Sequence, residues 1–180
     1  MEKKAYTLIE MVVVIAVIGL ILPVLFNIIF VIVNQQIKVM RLSEVKRQGD
    51  FAFNSMENVI RNYGYKIYSD IGLTDEQCTI SSPSYSNNGS NFYVRDKFIS
   101  TFQFYTESNR IASLGADLKM TYLTNNNVDI SDFVISCQWI SNYSSPLITI
   151  SFKVTYPNTS GRTDETASMT YQTSIRPRGN

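Results

Sequence analysis

A chain of 180 residues has room for one membrane anchor and one modest domain. Its formal net charge of +1 leaves no basic footprint for nucleic acid. It has no histidine, so the commonest general base and the commonest metal ligand are both missing, and two cysteines are too few to hold a structural zinc.

The first stretch in chain order is short and basic. Lys3 and Lys4 precede the small Ala5, the aromatic Tyr6, then Thr7-Leu8-Ile9 and a carboxylate, Glu10. The run Met11 to Val33 that follows carries no charged side chain. As a helix it would measure ~34 Å, enough to cross a hydrocarbon core of ~30 Å. Glu10 is the informative residue, because a charge at depth costs ~2.5–3.5 kcal/mol on insertion scales. One reading of it is local, a first-turn carboxylate favoured by the helix dipole.

The other reading comes from the pattern as a whole. These residues resemble the prepilin leader of type IV pilins and of the pseudopilins of type II secretion. The resemblance implies cleavage between Ala5 and Tyr6 by the prepilin peptidase, N-methylation of Tyr6, and an assembly role for Glu10. Ala5 stands where the family usually has Gly, and Tyr6 where it usually has Phe. An ordinary secretory signal is a poorer description, since the apolar run is too long and no small-residue cleavage site follows it. Lys38, Arg41, Lys46 and Arg47 lie beyond the anchor, so charge counting alone favours that side for the cytoplasm. The leader motif requires the opposite orientation, with a single pass through the inner membrane and the bulk of the chain outside. We follow the motif, because long domains translocate largely regardless of charge.

Gly19 and Pro23 interrupt the apolar run. Pro23 has no N–H for the carbonyl of Gly19, so a bend or a meltable segment is expected there, or a harmless kink. Asn27 is a polar residue at depth that can hydrogen-bond a neighbouring helix. From Leu42 apolar residues recur at Val45, Ala52 or Phe53, Met56, Val59 or Ile60, and Tyr63, at helical spacing. Gly49 would weaken this helix by ~1 kcal/mol, and Gly64 is a natural stop. The expected rod from Tyr6 to Tyr63 is roughly 58 residues, ~87 Å if unbroken. Its amphipathic half should lie on a sheet.

Residues 65–91 are rich in Ser, Asn, Gly and Pro and read as a connecting loop region, with short structure near Tyr65–Leu73. From Asn91 the period becomes two. Expected strands are Phe92–Arg95, Ile99–Thr106, Ile111–Leu114, Leu118–Leu123, Phe133–Ile140, Pro146–Tyr156 and Met169–Ile175, with a turn at Glu107–Arg110. Together they suggest an antiparallel meander over the rod, an α+β fold. The expected segments are 1–5 leader, 6–33 transmembrane and assembly helix, 34–64 amphipathic helix, 65–91 connection, and 92–180 sheet domain. The layout of Leu123–Val128, the strand from Leu147, and Thr170–Arg176 is similar to minor pilins and pseudopilins of the J or W type. The resemblance therefore implies a pilin-like fold with other subunits, an inner-membrane assembly platform and membrane lipid as partners.

Other chemistry is thinly represented. In an extracytoplasmic domain Cys78 and Cys137 suggest a disulfide, worth ~4 kcal/mol on the loop-entropy model, with two buried thiols as the alternative. Asp70, Asp75 and Glu76 are carboxylates that a calcium ion can use, but no EF-hand spacing accompanies them. Asn88, Asn142 and Asn158 begin Asn-X-Ser triplets. No nucleophile–base pair or phosphate-cradling glycine loop stands out, so neither catalysis, a cofactor nor a small-molecule substrate is expected. An uncleaved, signal-anchored ectodomain acting as a binding module or adhesin is the alternative to a filament subunit.

Overall fold

The computed structural model describes residues 7–88, 90–141, 144–157 and 166–178. Its elements are α1 (Leu8–Tyr63), β1 (Lys66–Tyr68), β2 (Glu76–Gln77), β3 (Ser84–Asn87), β4 (Tyr93–Arg95), β5 (Thr101–Glu107) and β6 (Arg110–Leu114). They continue with β7 (Met120–Tyr122), β8 (Asp129–Gln138), β9 (Leu147–Thr155) and β10 (Ser168–Ile175). The chain divides into two compact units, Met1–Met40 and Arg41–Asn180, and α1 contributes to both.

In the first unit every described residue through Met40 is exposed. The helix there is long and apolar enough to cross a membrane by length and composition. It continues through Pro23. Apart from the helix's own backbone, nothing lies within 4 Å of where a Cβ on Gly19 would stand, the residue whose carbonyl Pro23 leaves without a donor.

In the second unit α1 buries Val45, Gly49, Ala52, Met56 and Ile60, one stripe at steps of three and four. Phe53 and Val59 flank it, partly buried. This corrects the expected phase at two points. Leu42 and Tyr63 are 43% and 54% exposed, whereas Gly49, read from sequence only as a weak point, lies on the buried face. The helix stops where expected, with the Gly64 N–H donating to the Ile60 carbonyl at 3.0 Å.

The strands form two sheets rather than the single meander expected. One has six strands in the order β2-β1-β4-β5-β6-β7, the other four in the order β10-β9-β8-β3, and all pairs are antiparallel. The division follows β7. Instead of turning back on that strand, the chain crosses over through Leu123–Val128, and the Ile130 N–H donates to the Asn109 carbonyl at 2.8 Å. The connecting region supplies β1 and β2 to the first sheet and β3 to the second, so it is part of the framework.

Alternation in the long strands follows the sequence pattern. Ile148, Ile150, Phe152 and Val154 of β9 are buried, as are Phe133, Ile135 and Cys137 of β8. Strict alternation breaks between Ser131 and Val134, where β8 takes one more residue than β9 to cover the same register. Asp132 occupies this bulge with φ 53°, which lets both Ile130 and Phe133 point into the core despite their odd spacing. Phe104 and Ile111 from the other sheet, and Phe92 just before β4, join the same cluster, with the stripe of α1.

Candidate functional site

The expected processing residues Ala5 and Tyr6 lie outside the described residues. Description begins at Thr7, which caps α1. Its N–H and hydroxyl both donate to Glu10 Oε2, at 2.8 and 3.0 Å, while the Glu10 N–H reaches back to Thr7 Oγ1 at 3.4 Å. This is a reciprocal capping box, with Thr at the cap and Glu three residues on. Glu10 therefore has a local partner within one chain. Beyond it the apolar surface from Leu8 to Val39 is unpartnered inside the molecule. An apolar surface of this extent is costly to leave in water.

The second unit holds the other half of α1 through three sets of contacts. In the middle, the Tyr171 ring of β10 lies over Gly49. Its hydroxyl donates to Asp50 Oδ1 at 3.0 Å and to the Lys46 carbonyl at 3.1 Å. The ring stacks on Phe152 at 5.1 Å and meets Phe53 at 5.8 Å. Burial, then the Asp50 carboxylate, push the Tyr171 phenol well above its ordinary range. Toward the start of the unit, Asn125 donates its backbone N–H to Gln48 Oε1 at 3.2 Å and its Nδ2 to Glu44 Oε1 at 2.9 Å. Arg47, then Asn125, hold the Glu44 carboxyl below its usual range. Arg41 sits 5.4 Å from the ring centroid of Tyr156. At the far end the Arg178 N–H donates to the Arg61 carbonyl at 2.8 Å, Arg61 pairs with Glu57, and Tyr63 meets Phe102 at 6.0 Å.

Cys78 and Cys137 form a disulfide with Cα atoms 6.1 Å apart, both buried. It ties the segment before β3 to β8 at Cys137, the residue that pairs in register with Tyr85. The carboxylates considered for calcium have other employment. Asp70 accepts from the Thr74 and Asp75 amides and the Thr74 hydroxyl; the Asp75 amide is the first cause of its lowered pKa. Asp75 accepts from Ser69, and Glu76 pairs with Lys66 at 2.7 Å. No group of three or more potential ligands occurs among the described residues. Asn88 accepts from the Ser90 amide. Asn142 and Asn158 lie outside the described residues. A shallow groove beside α1, lined by Arg47, Phe51, Tyr122 and Asn125, brings together no acid–base pair.

Tyr171 and Gly49 were not singled out from sequence as a pair. The available signal was position: Gly49 falls four after Val45 and three before Ala52, squarely on the apolar stripe. A residue with no side chain at a core-facing position marks close approach by a neighbour.

No protein-family model, curated protein or solved structure matches the chain.

Proposed function

We propose that this chain is a minor type IV pilin or a pseudopilin of the type II secretion kind, a structural subunit and not an enzyme. The observation that carries the reading is the segment Lys3 to Glu10 set directly before an uncharged run to Val33. A basic leader, a small residue, an aromatic and a lone carboxylate at that spacing serve a cut made before the apolar helix. The α+β architecture, with a long N-terminal helix whose second part packs on antiparallel sheets, is compatible with that role.

In this reading the prepilin peptidase cuts after Ala5 and Tyr6 becomes the methylated amino terminus. The mature protein waits in the inner membrane, its apolar helix in lipid. The assembly platform then moves it into a filament, where the same surface packs against other subunits. The exchange is nearly neutral for the hydrophobic term, because lipid tails and neighbouring helices are equally apolar. Specificity must then come from packing and from the charge at Glu10.

A second reading is favoured by one observation. The Thr7–Glu10 capping box gives Glu10 a use that an uncleaved signal-anchored ectodomain would share. N-terminal sequencing of the membrane-extracted protein separates the two. A mature chain starting at Tyr6 is expected; a chain starting at Met1 would replace the filament subunit with the anchored ectodomain.

A further inference from the structure

The outermost strand of a sheet leaves one row of backbone groups unpaired, and proteins keep such rows short, charged or interrupted. Three of the outer strands here are short: β2 has two residues, β7 three and β3 four. The remaining one, β10, has eight, Ser168 to Ile175, with no charge, proline or glycine among them. Its pairing with β9 runs in unbroken register, so no bulge twists it away.

The phase of the ladder fixes which groups are spare. The Tyr156 N–H donates to the Ala167 carbonyl at 2.8 Å. Along the register that follows, Met169, Tyr171, Thr173 and Ile175 turn their amides and carbonyls toward β9. Ser168, Thr170, Gln172 and Ser174 turn theirs away, and all of them are exposed. No hydrogen bond among the described residues reaches those outward backbone groups.

What fits such a row is another extended backbone, and the two faces beside it set its side chains. On the core side stand Met169, Tyr171 and, across the Tyr171 ring, Phe53 of α1, all partly buried. On the other side stand hydroxyls, with Ser174 Oγ 2.9 Å from Thr149 Oγ1. A strand added there must alternate, apolar toward α1 and small and polar toward solvent. The charged groups on the elements around the edge are of both signs: Lys46 and Asp50 on α1, Lys153 opposite Thr170 on β9, and Arg176 just past β10. An uncharged strand suits that setting.

The direction of α1 bears on a second copy as the partner. Arg41 lies at Tyr156, level with the start of β10, and Arg61 accepts from Arg178 just past its end, so helix and strand run the same way. A copy offering its own β10 antiparallel would have its α1 reversed. The two chains would then enter the joined sheet from opposite ends, which does not suit two copies anchored in one membrane. We infer that β10 is a docking edge for an extended, uncharged segment of another protein, added as a further strand with apolar and hydroxyl side chains in alternation. The inference does not depend on the filament reading.

The test uses the full chain held by its apolar helix in phosphatidylcholine nanodiscs, with amide hydrogen exchange read residue by residue. The probe is a peptide of about eight residues alternating threonine and valine. It is made in two forms, one N-methylated at every valine and one at every threonine. With threonines on the hydroxyl face, their amides point at β10 and the valine amides point away. The valine-methylated form should slow exchange at Thr170 and Gln172 about tenfold or more, and the threonine-methylated form should leave it unchanged. Gln172→Pro removes one outward N–H and no bond to β9, so it should weaken peptide binding about tenfold with little change in melting point. No slowing by either form, or equal slowing by both, overturns the proposal. So does protection of Thr170 and Gln172 in the peptide-free protein: if dilution removes it, the edge belongs to a second copy, and if not, the chain covers its own edge. Sequencing the same sample from its amino terminus scores the filament reading separately.

Discussion

The ring of Tyr171 occupies the space that a side chain on Gly49 would need: a Cβ built on Gly49 would lie 2.2 Å from Tyr171 Cε2. A helix and an edge strand meet here at the closest distance a glycine permits, and the phenol bridges two helix residues, Lys46 and Asp50. Two effects oppose each other in Gly49→Ala. Helix propensity favours alanine by ~1 kcal/mol. Overpacking against a ring fixed by two aromatic partners and two hydrogen bonds costs ~1–3 kcal/mol. Net destabilisation is expected in denaturant melts. In a Tyr171→Ala background the same substitution should become stabilising, because only the propensity term survives. A Gly49→Ala that stabilises in both backgrounds would mean the contact is loose.

The phase of the helix gives a second test. Met56 is fully buried in the stripe, while Glu57 pairs with Arg61 along one flank. Met56→Ala should cost ~2–5 kcal/mol through lost transfer energy and the cavity left behind. Glu57→Ala should cost no more than about 1 kcal/mol, the scale of a half-buried i,i+4 pair. Equal shifts in melting temperature for the two would place the stripe wrongly.

Much of this was legible in the sequence because periodicity reports burial directly. β9 alternates without a break from Ile148 to Val154, and the strand is found there. The division into two sheets was not legible. It depends on β3, a four-residue strand in a Ser/Asn-rich stretch whose pairing with β8 no local pattern encodes. Nor does alternation foresee the bulge at Asp132, since an extra residue looks like a failed period. At Gly49 propensity and packing point in opposite directions, and propensity alone gave the less useful answer.

The Cys78–Cys137 bond predicts a mass signature and a stability change. Alkylation before reduction should add nothing to the intact protein, and alkylation after reduction should add two groups. Cys78→Ser with Cys137→Ser should lower stability by ~2–5 kcal/mol, since the bond closes a loop with a separation of 59 residues. Two alkylated thiols in unreduced protein from an oxidising compartment would contradict the bond.

Tyr171 also predicts an alkaline dependence. Its phenol titrates higher in the folded chain than in the unfolded one, burial being the first cause. Folding then opposes release of that proton. The stabilisation is fully present below the unfolded value of ~10 and declines as pH rises through and beyond it. Tyr171→Phe removes the group, so the variant's stability should fall less steeply than wild type's above ~pH 10. Tyr105 and Tyr122 are raised as well and remain in both proteins, so the difference between the two curves isolates Tyr171. Parallel curves would show that the phenol is not protected by the fold.

Glu10 carries two candidate roles, and one substitution separates them. Its carboxylate caps the first turn with Thr7 in a single chain. In a filament of staggered parallel helices it can also neutralise the Tyr6 amine of a neighbouring subunit, hiding two charges that are each costly in hydrocarbon. Glutamine serves the capping box about as well as glutamate, because its amide oxygen still accepts from Thr7. It carries no charge, however, so it cannot neutralise an amine. Glu10→Gln should therefore leave helix formation, membrane insertion and cleavage intact while lowering incorporation into filaments. Thr7→Ala should do the reverse, loosening the cap by ~0.5–2 kcal/mol and leaving the charge in place. Glu10→Asp should recover incorporation only in part, since its shorter arm reaches less far. The measurement is the ratio of mutant to wild-type protein in sheared filaments against membranes. If Glu10→Gln enters filaments as well as wild type while Thr7→Ala does not, the residue acts through the helix cap, and the charge pair has no part in assembly.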